Sequence, residues 1–372
     1  MLTVVSRFAA GVALVISTLS SAHALAVSQM FVFGDSLSDS GSAAALTPLD
    51  PALFGPNAAF FPPSNPNLFP PIPVPYAYRF SNGPVAAEYL AGFLGVPSGL
   101  AWPQTPSNAN PNFAVGGAMT GAGPAFDGAL CCNFNWLVNS PAPLQSLPAV
   151  QFTGINNQVA LFDSRNLPFD PASALFWMWG GPNDVFLALA RAQALGLNPV
   201  DTALFVGGYA ANAAANVDSR IRDLADLGAT RFLVLNMPNL GATPFADGAG
   251  LESELEALSL GFNALLDGFV DSLRANGLDI IEFDSFAALE TLIASGAFSN
   301  TTEPCFDGTA SSIPTILGGC QGYLFFDGVH PTTAVHQILA QQLLSAIPEP
   351  GALTLFGVAL LALTWARRAK WD

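Results

Sequence analysis

Two stretches of the chain, one near each end, carry the residue types of an acyl-transfer triad. Ser36 stands in a Gly-Asp-Ser segment after the apolar run 29–33, and Asp327 and His330 stand three residues apart near the C-terminus. A serine hydroxyl is a poor nucleophile until a histidine takes its proton, and a carboxylate orients that histidine. Because open α/β sheets place their chemistry just past strand ends, Ser36 is the candidate nucleophile.

The candidate base is one of two histidines, because the third, His23, falls in a predicted signal peptide. His336 lies within a predicted helix and has no acid beside it, which favours a surface or core position. His330 follows Asp327 by three residues, so one turn could bring the carboxylate under one ring nitrogen. The other ring nitrogen would then face Ser36, which completes the candidate triad.

Two further segments could stabilise the oxyanion that attack on an ester creates. The paired glycines Gly116 and Gly117 allow close approach of the backbone to a ligand. Asn183 follows the apolar run 174–179 and can present a neutral amide donor at the end of a strand. Asp184 can hold the same loop through backbone hydrogen bonds. Each of these segments, taken alone, is equally explained as an ordinary turn.

Taken in order along the chain, the four blocks resemble the GDSL, or SGNH, family of serine esterases and lipases. The segment Arg-Phe-Ser-Asn-Gly at 79–83 is similar to the branch with plant GDSL esterases and bacterial haemolysin-like phospholipases. The resemblance covers about residues 28 to 346. It implies an α/β, three-layer, flavodoxin-like fold with a mostly parallel central sheet, and catalysis by Ser36, Asp327 and His330.

The resemblance also implies an oxyanion hole with three donors. These are the Ser36 amide, the Gly117 amide (with Gly116 as the alternative) and the Asn183 side chain. Ser42 stands where the family often has asparagine, which puts one loop contact in doubt. We expect no metal and no cofactor, because the sequence lacks clustered zinc ligands and a glycine loop followed by lysine.

Apolar runs alternate with helical patterns through the middle of the chain. Strands are predicted at four runs, namely 29–33, 174–179, 231–236 and 279–283. Helices are predicted at four segments, namely 85–91, 212–227, 251–273 and 332–346. Alternation of this kind favours a mostly parallel sheet with helices on both faces, in one domain over 27–346. Segment 47–75 is interpreted as a loop over the site or an insertion, and 297–322 as loop.

The charge balance excludes one class of partner. The chain has 27 acidic against 11 basic residues and a formal net charge of −16, and Lys370 is its only lysine. Nucleic-acid binding needs a basic patch, so we expect none. The acidic balance favours solubility and repels anionic polymers and lipid surfaces.

Four cysteines are available for disulfides if the chain is exported to an oxidising compartment. Cys305 and Cys320 are the favoured pair, because the 14 residues between them form a closable loop. The alternatives link either of these to Cys131 or Cys132. A bridge between Cys131 and Cys132 is possible but strained, so those two could instead be free.

The N-terminal segment 1–24 has the features of a secretory signal peptide. Arg7 supplies the positive charge, an apolar stretch covers 8–19, and small residues occupy the cleavage positions 22 and 24. An alternative cleavage site lies at 24–26. The competing interpretation is an N-terminal membrane anchor.

The C-terminal segment 347–372 combines Pro-Glu-Pro at 348–350, an apolar run at 352–366 and the bases Arg367, Arg368 and Lys370. The pattern resembles the PEP-CTERM sorting signal, and a buried core helix is the alternative. The resemblance implies an exosortase-type processing enzyme as partner and transient contact with the inner membrane. The protein would then reach the cell envelope or the extracellular space.

Three functions fit these patterns. We expect a secreted serine esterase or lipase that hydrolyses acyl esters of lipids or polysaccharides through an acyl-enzyme. The first alternative is a carbohydrate O-deacetylase that acts on exopolysaccharide. The second is a surface-binding protein without activity, which a missing catalytic residue would have favoured.

Overall fold

The computed structural model describes residues 26–43, 79–100, 111–121, 153–307 and 310–348. Within these ranges, Ser28–Ala346 forms one compact unit. Several predictions lie outside the described residues: the signal peptide, the loop 47–75, the pairing of Cys131 and Cys132, and the apolar run 352–366. No helix of the described ranges is long and apolar enough to cross a membrane.

Eight strands and nine α-helices are numbered here in chain order within the described part. The strands are β1 (Gln29–Gly34), β2 (Gly99–Leu100), β3 (Pro111–Asn112), β4 (Ala174–Trp179), β5 (Arg231–Leu235), β6 (Asp279–Phe283), β7 (Asn300–Pro304) and β8 (Tyr323–Phe325). The helices are α1 (Ala86–Leu94), α2 (Ile155–Arg165), α3 (Pro182–Ala194), α4 (Pro199–Asp226), α5 (Pro244–Ala249), α6 (Glu252–Ala275), α7 (Ser285–Ala294), α8 (Ile313–Leu317) and α9 (Thr333–Ala346). Short 3₁₀ turns cover Leu240–Ala242 and Ala310–Ser312.

The central sheet has six parallel strands in the order β2-β3-β1-β4-β5-β6. This confirms the predicted mostly parallel sheet. The chain leaves β1 toward one edge, returns through β3, and then crosses to β4 on the other side of β1. The strand order therefore reverses at β1, which is where α/β sheets open a crevice for ligands.

Alternate residues of the central strands build a dense core on one face of the sheet. Phe31 and Phe33 of β1 and Phe176 of β4 belong to one buried cluster, with ring centroids 5.1 Å apart for Phe31 and Phe176. Helices α2, α3, α4 and α6 contribute many of the other residues of this cluster. Buried residues of α1 and α9 lie outside the cluster, and these two helices pack against each other. The layers match the predicted α/β architecture.

The structure differs from the sequence predictions at three places. Helix α4 begins at Pro199 rather than 212, because the Asn198 side chain caps it by accepting from the Asp201 amide at 3.0 Å. Helix α1 begins at Ala86, one residue after the predicted start at 85. The region 297–322, predicted as loop, contains β7 and α8, and β7 pairs with β8 in a separate two-stranded sheet.

Gly34 is the last residue of β1. A Cβ at this position would overlap the carbonyl oxygen of Trp179 on the neighbouring strand. The glycine is therefore required by close packing of β1 against β4, and not by a left-handed backbone conformation.

The structure joins Cys305 to Cys320, which is the favoured pairing of the sequence analysis, with Cα atoms 5.6 Å apart. The bridge closes a segment that contains α8 and lies directly before β8. The amides of Cys305 and Phe306 donate to the carbonyls of Phe325 and Phe326 at 3.0 and 2.7 Å. The disulfide therefore supports the segment that leads into Asp327.

Candidate active site

The structure brings Ser36, His330 and Asp327 into one hydrogen-bonded row. Ser36 Oγ lies 2.7 Å from Nε2 of His330, and Nδ1 of His330 lies 2.9 and 2.8 Å from the two carboxylate oxygens of Asp327. All three residues are buried, with no more than 8% of the surface of each exposed. With a proton on Nδ1, Nε2 is a base positioned to accept the proton of the serine hydroxyl.

Backbone groups orient the Asp327 carboxylate before it meets the histidine. Its Oδ1 atom accepts from the amides of Val329 and His330 at 2.9 and 2.8 Å. These hydrogen bonds close the turn 327–330, as expected from the three-residue spacing of Asp327 and His330. The two amides thus fix the carboxylate in the position from which it contacts Nδ1 of the imidazole.

Ser36, Gly117 and Asn183 follow the carboxyl ends of three neighbouring strands, β1, β3 and β4. This is the edge at which the strand order reverses. Because parallel strands end on the same side of a sheet, residues that are far apart in the sequence converge there. All three residues line the same cavity as His330.

Asp39 fixes the loop that follows Ser36 and the loop that carries the paired glycines. Its carboxylate accepts from four backbone amides: Gly41 at 2.7 Å, Ser42 at 2.6 Å, Ala43 at 3.0 Å and Gly116 at 2.8 Å. The Gly116 amide therefore points at Asp39. Sequence reasoning missed this residue, because one of its partners lies 77 positions away.

The Gly117 amide fits the oxyanion position better than the Gly116 amide. Gly117 has φ of 79°, which turns its backbone into the left-handed region that glycine tolerates. No acceptor among the described residues takes its N–H or the N–H of Ser36. Two backbone donors thus remain for a ligand oxygen beside the Ser36 hydroxyl.

Asn183 lies in the first turn of α3, and not at the end of a strand as predicted. Its Nδ2 donates to the carbonyl of Ala118 at 3.0 Å and lies 3.5 Å from Oδ2 of Asp35. The first bond holds the side chain beside the glycine loop. The contact with Asp35 is long, so it is the weaker of the two hydrogen bonds that the Asn183 amide group makes.

Asp184 holds a loop through hydrogen bonds, as predicted. This loop is the one at Thr120, and not the one that contains Asp184. Its carboxylate accepts from the amide of Thr120 at 3.0 Å and from the Thr120 hydroxyl at 2.9 Å. Asp184 therefore ties the start of α3 to the segment after Gly117. This contact links the segments that carry two candidate donors of the oxyanion hole, Gly117 after β3 and Asn183 after β4.

Three buried carboxyl groups, those of Asp35, Asp39 and Asp184, belong to the segments that form the site. Burial raises the pKa of Asp35 to about 7, that of Asp184 to about 7 and that of Asp39 to about 6. Backbone hydrogen bonds oppose the shift in each case. Removal from water disfavours the ionised form, and the amides recover only part of the lost hydration.

The Ser-Asn-Gly part of the segment 79–83 holds the loop that carries His330. The Ser81 hydroxyl donates to the carbonyl of Pro331 at 3.0 Å, and Asn82 Oδ1 accepts from the amide of Thr333 at 2.9 Å. The ring of Phe80 lies 5.2 Å from the ring of His330. In the sequence, this segment stood out for its family resemblance. In the structure, its hydrogen bonds hold the loop that carries His330.

Gln158 of α2 anchors the end of β1 and was not anticipated. Its side-chain amide accepts from the Gly34 amide at 2.9 Å and donates to the Gly34 carbonyl at 2.8 Å. It also donates to the carbonyl of Thr153 at 2.9 Å. A single glutamine in an amphipathic helix gives no sequence signal for such a role.

Two residues that were weighed in the sequence lie in unusual surroundings. His336 is fully buried and neither of its ring nitrogens has a hydrogen-bond partner among the described residues, so it is a core histidine. Burial lowers its pKa to about 3. Ser42, where asparagine was expected, is also buried, and its hydroxyl has no partner in the part of the chain that the structure describes.

A cavity of about 910 Å³ opens beside the nucleophile. Asp35 and His330 are the only titratable side chains among the described residues that line it. Most of the other lining residues are aliphatic, aromatic or proline. The site can therefore receive an uncharged, largely apolar molecule next to Ser36.

Comparison with known proteins agrees with this geometry. The family model described as GDSL-like Lipase/Acylhydrolase matches residues 30–343, which is most of the chain. The PEP-CTERM protein-sorting motif matches residues 346–368. The first match includes both Ser36 and His330.

Several curated proteins are similar along most of the chain. Thermolabile hemolysin of Vibrio parahaemolyticus is 25% identical over 339 residues, which cover 86% of this chain but only 64% of the hemolysin. A GDSL esterase/lipase of Arabidopsis thaliana is 27% identical over 338 residues, covering 86% and 90% of the two chains. Acetylajmalan esterase 2 of Rauvolfia serpentina is 28% identical over 357 residues, with the same two coverages.

Proposed function

The chain belongs to the GDSL-like lipase/acylhydrolase family and is thus a hydrolase of ester bonds, and we propose that Ser36, His330 and Asp327 carry the reaction. The observation that carries this proposal is the continuous row of hydrogen bonds from the serine hydroxyl to the buried carboxylate. The cavity beside Ser36 supplies the room for the ester.

In the first half of the reaction, the Ser36 oxygen bonds to the ester carbonyl carbon while its proton passes to His330 Nε2. The electron pair of the carbonyl double bond moves to its oxygen, which becomes an oxyanion. His330 then gives its proton to the leaving alcohol oxygen as the ester C–O bond breaks. An acyl group remains on Ser36.

In the second half, water takes the place of the alcohol. His330 removes a proton from the water while the water oxygen bonds to the acyl carbon. The carboxylic acid leaves as the proton returns to Ser36. Asp327 keeps one tautomer of His330 in place and stabilises the imidazolium that forms in both halves.

The amides of Ser36 and Gly117 and the side chain of Asn183 form the oxyanion hole of this proposal. The two amides are supported by their lack of other acceptors in the described structure. Asn183 supplies the N–H that now makes the long 3.5 Å contact with Asp35. Donors fixed in advance need no reorganisation when charge develops on the substrate oxygen.

Hydrolysis of p-nitrophenyl butyrate by the purified protein tests this proposal. We expect turnover in the unaltered protein, and loss of at least about 10³-fold in kcat for Ser36→Ala and for His330→Ala. His336→Leu is the matched control, because this histidine does not face the nucleophile, and it retains turnover. Turnover that survives Ser36→Ala, or that is abolished by His336→Leu, would contradict the assignment.

The sorting motif supports secretion, and we propose the following processing. Segment 1–24 is a signal peptide, 27–346 is the hydrolase domain, and 347–372 is a tail that an exosortase-type enzyme recognises at the inner membrane. Removal of the tail releases the enzyme to the envelope or beyond. The apolar run of 15 residues at 352–366, closed by bases, supports brief contact with the membrane.

A further inference from the structure

One face of α3 continues the catalytic centre as an apolar wall. Asn183, Phe186, Ala190 and Gln193 all line the cavity, at spacings of three, four and three residues. Residues at these spacings share one face of a helix. The wall therefore begins at the oxyanion donor and leads away from Ser36.

The wall has a length that can be compared with a substrate. Asn183 and Gln193 are ten residues apart, which is about 15 Å along a helix axis. An extended chain of single bonds advances about 1.2 Å per bond, as in the protein backbone. The wall thus matches an extended alkyl chain of about 12 bonds, whereas an acetyl group would contact only its first turn.

A second apolar wall of the cavity adjoins the first. It comes from the segment 240–251, in which Leu240, Pro244, Phe245 and Leu251 line the cavity. The rings of Phe186 and Phe245 meet edge to face, with centroids 5.5 Å apart. The Phe245 amide donates to the carbonyl of Gly328 at 2.8 Å, which ties this wall to the turn that holds Asp327 and His330.

The chemistry of these walls selects one class of acyl group. Neither wall carries a charged side chain or a cluster of hydrogen-bond donors for sugar hydroxyls. Apolar carbon placed between the walls leaves water and gains free energy with each methylene. Polar residues also line the cavity, namely Gln193, Thr202, Asn239, Thr243 and Ser285. The hydroxyl of Thr243, in the second wall, is already bonded, since it donates to the carbonyl of Leu240 at 2.7 Å.

From these observations we infer that the groove between α3 and the segment 240–251 binds the acyl chain of esters with about 8 to 12 acyl carbons. Ala190 is the specificity-determining position. It lies seven residues from Asn183, or about 10.5 Å along the helix, so a larger side chain there would block the outer third of the groove. The inference rests on the proposed ester hydrolysis at Ser36.

The first test compares kcat/KM for p-nitrophenyl acetate, butyrate, octanoate and decanoate. We expect kcat/KM to rise with chain length, by at most about fourfold per methylene, up to the decanoate. Ala190→Phe should lower the value for decanoate at least about tenfold more than the value for acetate. Ala194→Phe is the matched control, because this exposed alanine of the same helix does not line the cavity, and its profile stays that of the unaltered protein.

Two outcomes would overturn the assignment. A preference for acetate over octanoate and decanoate would show that the groove does not take the acyl chain. A shortened optimum in Leu292→Trp but not in Ala190→Phe would place the chain against α7, where Leu292 also lines the cavity.

A binding experiment separates this inference from the proposed function. Ser36→Ala removes the nucleophile, so methyl decanoate and methyl acetate can be titrated as intact esters by tryptophan fluorescence, which Trp179 in the cavity wall reports. We expect decanoate to bind at least about tenfold more tightly, and Ala190→Phe to reduce the difference. Equal affinities would refute the acyl groove. Tighter decanoate binding together with no ester turnover in the unaltered protein would uphold the groove and refute the proposed catalysis.

Discussion

His330 faces a carboxylate with one ring nitrogen and a serine hydroxyl with the other, at 2.8 and 2.7 Å. These two contacts come from a three-residue spacing at 327–330 that the sequence displays directly. The residues that make them possible are less visible. Asp39 and Gln158 hold the loops of the site through hydrogen bonds to residues 77 and 124 positions away. Such contacts depend on the folded topology, so no local pattern predicts them.

Asn183 provides the first prediction at this scale. Asn183→Ala removes one oxyanion donor, so kcat should fall about 10²- to 10³-fold, a loss of about 2.7–4 kcal/mol of transition-state stabilisation. The KM for a short ester should change much less. Steady-state kinetics with p-nitrophenyl butyrate measure both, with Asn276→Ala as the control because Asn276 is exposed beyond the end of α6. A fall in kcat of less than tenfold would remove Asn183 from the oxyanion hole.

His336 provides a prediction about pH. Its pKa is lowered by burial to about 3, so between about pH 6.5 and 3 the unfolded chain binds a proton that the folded chain does not. Stability therefore falls as pH drops through this range. At pH 5 the loss is about 2 kcal/mol. His336→Leu should remove this loss. The difference in free energy of unfolding between the variant and the unaltered protein should therefore favour the variant by about 2 kcal/mol more at pH 5 than at pH 7.

Urea unfolding at the two pH values measures this difference. Asp35, Asp39 and Asp184 have raised pKa values, and they lower stability as pH rises from about 4 to about 7. They are present in both proteins, so their effect cancels in the comparison. An equal gain at pH 5 and pH 7 would show that His336 does not stay neutral in the folded state.

At the scale of elements, long apolar runs were predictable and short strands were not. The runs at 174–179 and 279–283 became β4 and β6 with the predicted bounds. Strands β2 and β3 have two residues each, too few to show any alternation, yet β3 positions the glycine loop beside Ser36. Helix α3 was also missed, although its Pro182 at the first position is a typical helix start.

The disulfide provides a prediction for the element that leads into Asp327. Replacing both Cys305 and Cys320 by serine should lower the free energy of unfolding by about 3 kcal/mol, because the open loop gains conformational freedom in the unfolded chain. Chemical denaturation of the variant and the unaltered protein, both without reductant, gives the difference. Unchanged stability, or a peptide map that joins Cys305 to Cys131 or Cys132, would contradict the pairing.

At the scale of the whole molecule, the sorting motif follows the compact unit in the sequence. The compact unit runs over Ser28–Ala346, and the sorting motif begins at 346. The whole chain carries a formal net charge of −16, which favours solubility. Processing of the segment after residue 346 was expected from the resemblance of its sequence to a sorting signal, and not from composition.

Processing of the tail can be checked on protein from its native cells. Mass spectrometry should find a C-terminus near 348–351, because the Pro-Glu-Pro segment marks the junction between the hydrolase unit and the apolar run. The fraction outside the cytosol should carry this shortened form. Intact protein ending at Asp372 and recovered from the cytosol would contradict both export and processing.

The most direct test of the catalytic assignment is covalent labelling with a fluorophosphonate, followed by peptide mass spectrometry. The reagent reacts with a serine only when a neighbouring base activates it. We expect one adduct, on Ser36, with labelling lost in Ser36→Ala, slowed strongly in His330→Ala and unchanged in His336→Leu. A folded protein that acquires no label on Ser36 while it still hydrolyses esters would show that the nucleophile lies elsewhere.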